Sequence, residues 1–295
     1  MRDKRAPKYS GKYAVIVFVT LGVLIGSIWA YRWYERRDAP KDPRSIISQT
    51  HAHRFVPQDE LPEGSFSPAI WEWLSGGKYN FGSGDILVST ALVQDDYWLR
   101  FRHVPNENGT WRIVMVSDLP RSTRGYSVKQ TIMFESPWDS GSPPESAGGK
   151  VGFGLAGGEL AGAGNTVTAG WSTRVVWDRD RLVFYLYYAN RPSLLAGKSP
   201  AYGHSIPSGV TYTPGQPNDV KMEVVLNTPG EADGEFRGYV DGKLVLTVPD
   251  VLWMEGEPEV DKCWLNTFHG GNNSDYSPAR DVFSLVKDVQ YEAMR

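Results

Sequence analysis

The chain has 295 residues, with 31 Lys and Arg against 34 Asp and Glu and a formal net charge of −3. That balance excludes a nucleic-acid partner held by overall charge. The single cysteine, Cys263, excludes an intramolecular disulfide and reads as a buried strand residue, while five scattered histidines show no zinc spacing.

Residues 1–12 are a basic tail containing Arg2, Lys4, Arg5, Lys8 and Lys12. Tyr13 to Tyr31 then runs for 19 residues without a charge, about 28 Å as a helix at roughly 1.5 Å per residue, close to a bilayer's hydrocarbon core. Trp29, Tyr31, Trp33 and Tyr34 suit an interfacial belt at its end. The stretch is long for the apolar region of a cleaved signal, and Ala30 lacks a small partner two residues earlier. The expectation is a transmembrane helix over 13–31. Arg32, Arg36, Arg37, Lys41 and Arg44 balance the basic tail, so the positive-inside rule does not orient it.

Residues 32–65, rich in charge, Pro and Ser, read as a linker. The remaining residues, 66–295, are enough for one large domain. Strand signals recur over Ile86–Val93, Tyr97–His103, Thr110–Val116, Ser127–Glu135, Thr168–Trp177, Leu182–Ala189, Asp219–Leu226, Glu235–Val248 and Val282–Tyr291. These are rich in β-branched and aromatic residues, with Gly, Pro, Asn and Asp between them. Asp241-Gly242, between GYV and KLVL, marks a type I′ hairpin. The fold class expected is all-β: a jelly-roll, concanavalin A-like sandwich of two antiparallel sheets. Asn108-Gly-Thr and Asn272-Asn-Ser are glycosylation sequons, relevant only in a eukaryotic source.

The segment from Gly170 to Tyr188 is the most informative. Alternate side chains of a strand share a face. Trp171, Thr173, Val175 and Trp177 therefore oppose Ser172, Arg174 and Val176; Leu182, Phe184 and Leu186 oppose Val183, Tyr185 and Tyr187. A two-residue turn at Arg179-Asp180 sets Arg174 across from Tyr185 and Ser172 across from Tyr187. A slip of one residue would mix apolar and polar faces, so the register is tightly specified.

A Ser/Arg/Tyr/Tyr patch is what β-elimination of a uronic acid polymer needs. The C5 proton lies beside a carboxylate whose charge opposes carbanion formation, so a cation and preorganised donors must offset it. A base takes the C5 proton, and an acid protonates the departing glycosidic oxygen. Tyrosine serves in either role, and a neighbouring Arg or Lys favours its phenolate. The chemistry requires no metal and no cofactor. An Arg–Tyr cross-strand pair also serves simply to solvate a sheet face.

Gly148-Gly-Lys-Val-Gly-Phe-Gly-Leu-Ala-Gly-Gly158, Ser172-Thr-Arg174, Trp177 and Tyr185-Leu-Tyr187 together resemble polysaccharide lyase family 14, the alginate and glucuronan lyases. Pro214-Gly215, Leu226-Asn-Thr-Pro-Gly230, Asp233-Gly234, Asp241-Gly242, and Phe268-His-Gly-Gly271 followed by Pro278 extend the likeness over roughly 110–290. The resemblance implies a jelly roll with a polyuronate-binding cleft on its concave sheet. It also implies an essential Lys150, the polar pair Ser172 and Arg174, and acid and base roles for Tyr185 and Tyr187. Three positions depart from the pattern: Lys150-Val-Gly-Phe-Gly154 replaces Lys-Leu-Pro-Gly, His269 replaces a Phe, and Pro217 stands where a Trp is usual. The first is expected to reshape the loop presenting Lys150.

Tyr202 and His204, in a Gly/Pro/Ser-rich loop over 191–218, and His269 are candidate substrate-binding residues, with loop and structural roles as the plainer alternatives. Gly157-Gly158 through Gly164 reads as a flexible loop rather than a phosphate loop. Glu231-Ala-Asp-Gly-Glu235 imitates hydrolase carboxylates but reads as a turn. The expected function is thus a membrane-anchored lyase acting on an anionic polysaccharide, with its N-terminus cytoplasmic and its domain extracellular or periplasmic. A non-catalytic glycan-binding module and a glycoside hydrolase are the alternatives.

Overall fold

The computed structural model describes Ala52–Arg54, Gly64–Ser65, Lys78–Tyr79, Val88–Val93 and residues 96–105, 113–141, 147–158, 170–197, 202–270 and 274–294. These fall in one unit of the chain, Ile47–Arg295. The expected transmembrane helix, the asparagines of both sequons and the glycines from 161 to 164 lie outside the described residues.

Two antiparallel sheets make up this unit. The first has the order β15 (Lys243–Val251), β14 (Gly234–Val240), β13 (Asn218–Val225), β7 (Gly125–Phe134), β17 (Val282–Ala293), β5 (Asp96–His103), β4 (Val88–Val93) and β2 (Gly64–Ser65), with β1 (Ala52–Arg54) also on β17. The second runs β12 (His204–Thr211), β11 (Arg181–Tyr187), β10 (Gly170–Asp178), β8 (Gly148–Val151), β16 (Val260–His269), β6 (Ile113–Ser122) and β3 (Lys78–Tyr79). β9 (Phe153–Gly158) continues β8 between β10 and β16. β1 and β2 fall within the stretch expected to be linker, so the sheet begins before residue 66.

Alternation builds the interior. Tyr126, Val128, Ile132 and Phe134 of β7 face Trp171, Val175 and Trp177 of β10 and Leu182, Phe184 and Leu186 of β11 in one buried cluster. Cys263 is buried in that cluster on β16, as expected. Burying a large apolar side chain contributes roughly 1.5–3 kcal/mol, so this face cannot be exchanged for the other. The Asp241-Gly242 turn joins β14 to β15 with φ of 50° and 74°, the left-handed pair that a type I′ turn demands.

Besides the short β1, β2 and β3, four strands escaped the sequence reading: β8, β9, β12 and β16. β12 lies inside the stretch read as loop, and β9 includes Gly157 and Gly158. Lys150 is likewise on a strand rather than a loop. Between β8 and β9 the chain kinks at Gly152, where φ is +74° and an added Cβ would stand 2.3 Å from Gln130 Oε1. Gln130, wholly buried on β7 of the other sheet, accepts from Phe153 N and donates to Phe153 O, both at 2.8 Å. That amide satisfies both backbone groups opened by the kink.

Candidate active site

β10 and β11 pair as the alternation predicts, with Arg174 opposite Tyr185, Ser172 opposite Tyr187 and Asp178 opposite Arg181. Arg179 takes φ 58° in the turn. Tyr212 pins that turn, donating its N–H to Asp180 O at 2.9 Å and its hydroxyl to Arg179 O at 2.5 Å. Lys150 joins the same face, because β8 sets it opposite Val176 of β10 and Phe268 of β16. The five expected catalytic positions therefore share the face turned away from the interior.

Contacts across the strands knit this face together. The Arg174 guanidinium stacks 4.0 Å from the Trp264 ring and 5.0 Å from Tyr187, with Gly154 between Arg174 and Trp264 in the sheet. Lys150 Nζ lies 4.7 Å from the Phe268 ring and 5.9 Å from Tyr185. The two tyrosine rings meet edge to face at 5.3 Å. Gly203 N donates to Tyr185 Oη at 2.8 Å, and an added Cβ at Gly203 would press within 2.8 Å of the Tyr185 ring.

Arg191 holds that N–H in place. It is wholly buried and donates from Nε to Tyr202 O at 2.8 Å and from Nη1 to Tyr188 O at 2.9 Å, drawing together the two ends of the β11–β12 connection. Its guanidinium also lies 5.3 Å from the Tyr187 ring. Burial nevertheless pushes the Tyr187 phenol well above its ordinary range, and Tyr185 adds to the rise; Arg174 and Arg191 pull it down by less. The neighbouring cations act in the expected direction but are outweighed at Tyr187, which holds its proton.

The three expected substrate-binding residues divide. Tyr202 is 60 % exposed and adjoins Gly203 at the edge of the patch. His204 sits opposite Leu186, toward the interior, with Nδ1 2.7 Å from the Tyr188 hydroxyl; burial lowers its pKa. His269 also faces the interior, stacked on Trp138 at 5.5 Å and edge-on to Trp177 and His103. Burial lowers its pKa to about 4, against the opposing pull of Asp139. The alternation of β16 puts it on the side away from Lys150. Glu231 and Asp233 belong to the turn before β14, where Asp233 accepts from Thr228 N and Oγ1.

Gln130, Arg191, Gly203 and Trp264 were missed from the sequence. Only Trp264 carried a local signal: it alternates with the expected buried Cys263.

A model of the family described as Polysaccharide lyase 14 matches residues 104–289. The chain belongs to polysaccharide lyase family 14. No curated protein sequence matches this lyase. Solved structures share its fold. Alginate lyase Aly36B superposes with a TM-score of 0.65 at 22 % identity, covering 83 % of this chain and 96 % of its own. The marine alginate lyase of Aplysia kurodai gives 0.58 at 20 % identity, over 70 % and 87 %. Alginate lyase vAL-1 from Chlorella virus gives 0.54 at 16 %, over 70 % and 89 %. A variant of Aly36B has been solved with an alginate tetrasaccharide. The jelly-roll arrangement of two antiparallel sheets is therefore common to this lyase and its structural neighbours, and the domain is that of a polysaccharide lyase.

Proposed function

We propose that this lyase cleaves a uronate-containing anionic polysaccharide, of alginate or glucuronan type, by metal-independent β-elimination. The observation that carries the reading is the gathering of Lys150, Ser172, Arg174, Tyr185 and Tyr187 on one sheet face. Arg174 and Lys150 offset the uronate carboxylate, lowering the cost of charge developing at C5. Tyr187, kept protonated by burial, gives its proton to the departing glycosidic oxygen. Tyr185, in its phenolate form, takes the C5 proton and is left as the neutral phenol, its oxygen positioned by the Gly203 N–H. Ser172, opposite Tyr187, is a donor to the sugar. The alginate oligosaccharides bound by Aly36B variants support a polyuronate as substrate.

The lyase is anchored by Tyr13–Tyr31, with its N-terminus in the cytoplasm and its domain on the outer side, extracellular or periplasmic. The uncharged length of that stretch supports the anchor, and the polymeric nature of the substrate supports the sidedness.

The test is product analysis on alginate, polymannuronate, polyguluronate and glucuronan. Unsaturated ends absorbing in the near ultraviolet are expected from at least one polymer, at an undiminished rate in the presence of a chelator. Reducing ends without unsaturation would make the enzyme a hydrolase; binding without product would make it a glycan-binding module.

A further inference from the structure

On β16, Cys263, Leu265, Thr267 and His269 turn to the interior, as their partners show: two belong to the core cluster, Thr267 meets Ser284 of the other sheet at 3.1 Å, and His269 packs on Trp177. Trp264, Asn266 and Phe268 therefore share the opposite face with Lys150 and Arg174. Trp264 is stacked on Arg174 and Phe268 on Lys150, so Asn266 stands between these two cation contacts, roughly 7 Å along the strand from each aromatic neighbour.

Asn266 is 2 % exposed, and its Nδ2 is buried with no acceptor in hydrogen-bond range among the described residues; Trp264 Nε1 beside it is in the same condition. Its backbone is held, because Asn266 N donates to Gly152 O at 2.9 Å, at the kink that follows Lys150. A buried donor left unpaired is costly, and native folds keep few of them. A buried amide standing between two cations on the face of the candidate site is accounted for when a ligand brings the acceptor. The acceptor suited to this place carries negative charge, since Arg174 and Lys150 flank it.

We propose that Asn266 is a substrate-binding residue that donates from Nδ2 to the carboxylate of the uronate held between Arg174 and Lys150. The inference rests on the polyuronate reading above. A neutral amide fixes the orientation of the carboxylate plane while the two cations offset its charge.

The test uses the full chain in detergent, with two variants, Asn266→Leu and Asn266→Asp, assayed on the polymer that the wild type cleaves. Asn266→Leu removes an unpaired donor, so its Tm without substrate should equal or exceed that of the wild type while KM rises at least fivefold. Asn266→Asp puts an acceptor against the carboxylate, so KM should rise at least tenfold at neutral pH and recover as the pH is lowered toward carboxyl protonation. A structural asparagine gives the opposite pattern: Asn266→Leu lowers Tm or fails to fold, and that result overturns the proposal. KM within twofold of wild type in both variants also overturns it. A wild type that yields unsaturated product from no polymer defeats instead the polyuronate reading, and this proposal with it.

Discussion

At Tyr187 and His269 the environment decides protonation more than the nearest charge does. Two guanidiniums approach Tyr187, yet burial and the second tyrosine outweigh them. His269 sits among Trp138, Trp177 and His103, and its pKa falls to about 4, below the usual 6.5. The unfolded chain takes up a proton near pH 6.5 and the folded chain does not, so this contribution to stability is complete above about pH 6.5 and is lost as the pH falls toward 4. The shift corresponds to about 3 kcal/mol. His103, also lowered by burial, acts in the same direction. In His269→Phe, the decline of unfolding free energy between pH 6.5 and 4 should become shallower than in the wild type, by urea titration at each pH. An unchanged slope would show that His269 does not remain neutral in the fold.

At the scale of elements, the β10–β11 hairpin was legible because its two periodicities agree: an apolar set and a polar set, joined by a turn of two residues, admit one register. Adding a glycine between Arg179 and Asp180 should displace Tyr185 and Tyr187 from Ser172 and Arg174 and reduce activity at least a hundredfold. Retention of activity would mean that the register is unimportant to the site. β8 and β9 were not legible, because six of the eleven residues from Gly148 to Gly158 are glycine and the strand character comes from their neighbours β10 and β16. The kink between them depends on Gln130, which the chain supplies from another sheet. Gln130→Leu leaves the Phe153 N–H and C=O unpaired and should cost about 2–5 kcal/mol of stability in urea unfolding; a loss under 1 kcal/mol would show that the clamp is dispensable. β12 was hidden by Pro207 and Gly209, which an edge strand tolerates because one side makes no ladder. β16 was hidden because Trp264 and Phe268 make its second face apolar too, erasing the period of two. His204 was assigned to the substrate for its place in an expected loop and His269 for its ionisable imidazole, and strand alternation turns both inward.

For the whole molecule, the sandwich exposes one face of the β12-to-β3 sheet for the substrate and spends the other on the core, so activity and stability are separable on the same strands. Trp177 and Phe184 hold the sheets together, while Arg174 and Tyr185, one residue away from Val175 and Phe184, face outward. The proposed anchor is separable as well: the full chain should sediment with membranes and resist extraction by alkaline carbonate, and a chain that appears wholly in the soluble fraction would remove the anchor from the account. The hairpin and Lys150 carry the proposed chemistry. Its most direct test is the near-ultraviolet absorbance of unsaturated ends released from the cleaved polyuronate by the wild type, Lys150→Ala and Tyr187→Phe, each checked for folding by near-ultraviolet circular dichroism. A steady rise is expected for the wild type, and a rate at least a thousandfold lower for both folded variants. A rate within tenfold of wild type in either variant would contradict it.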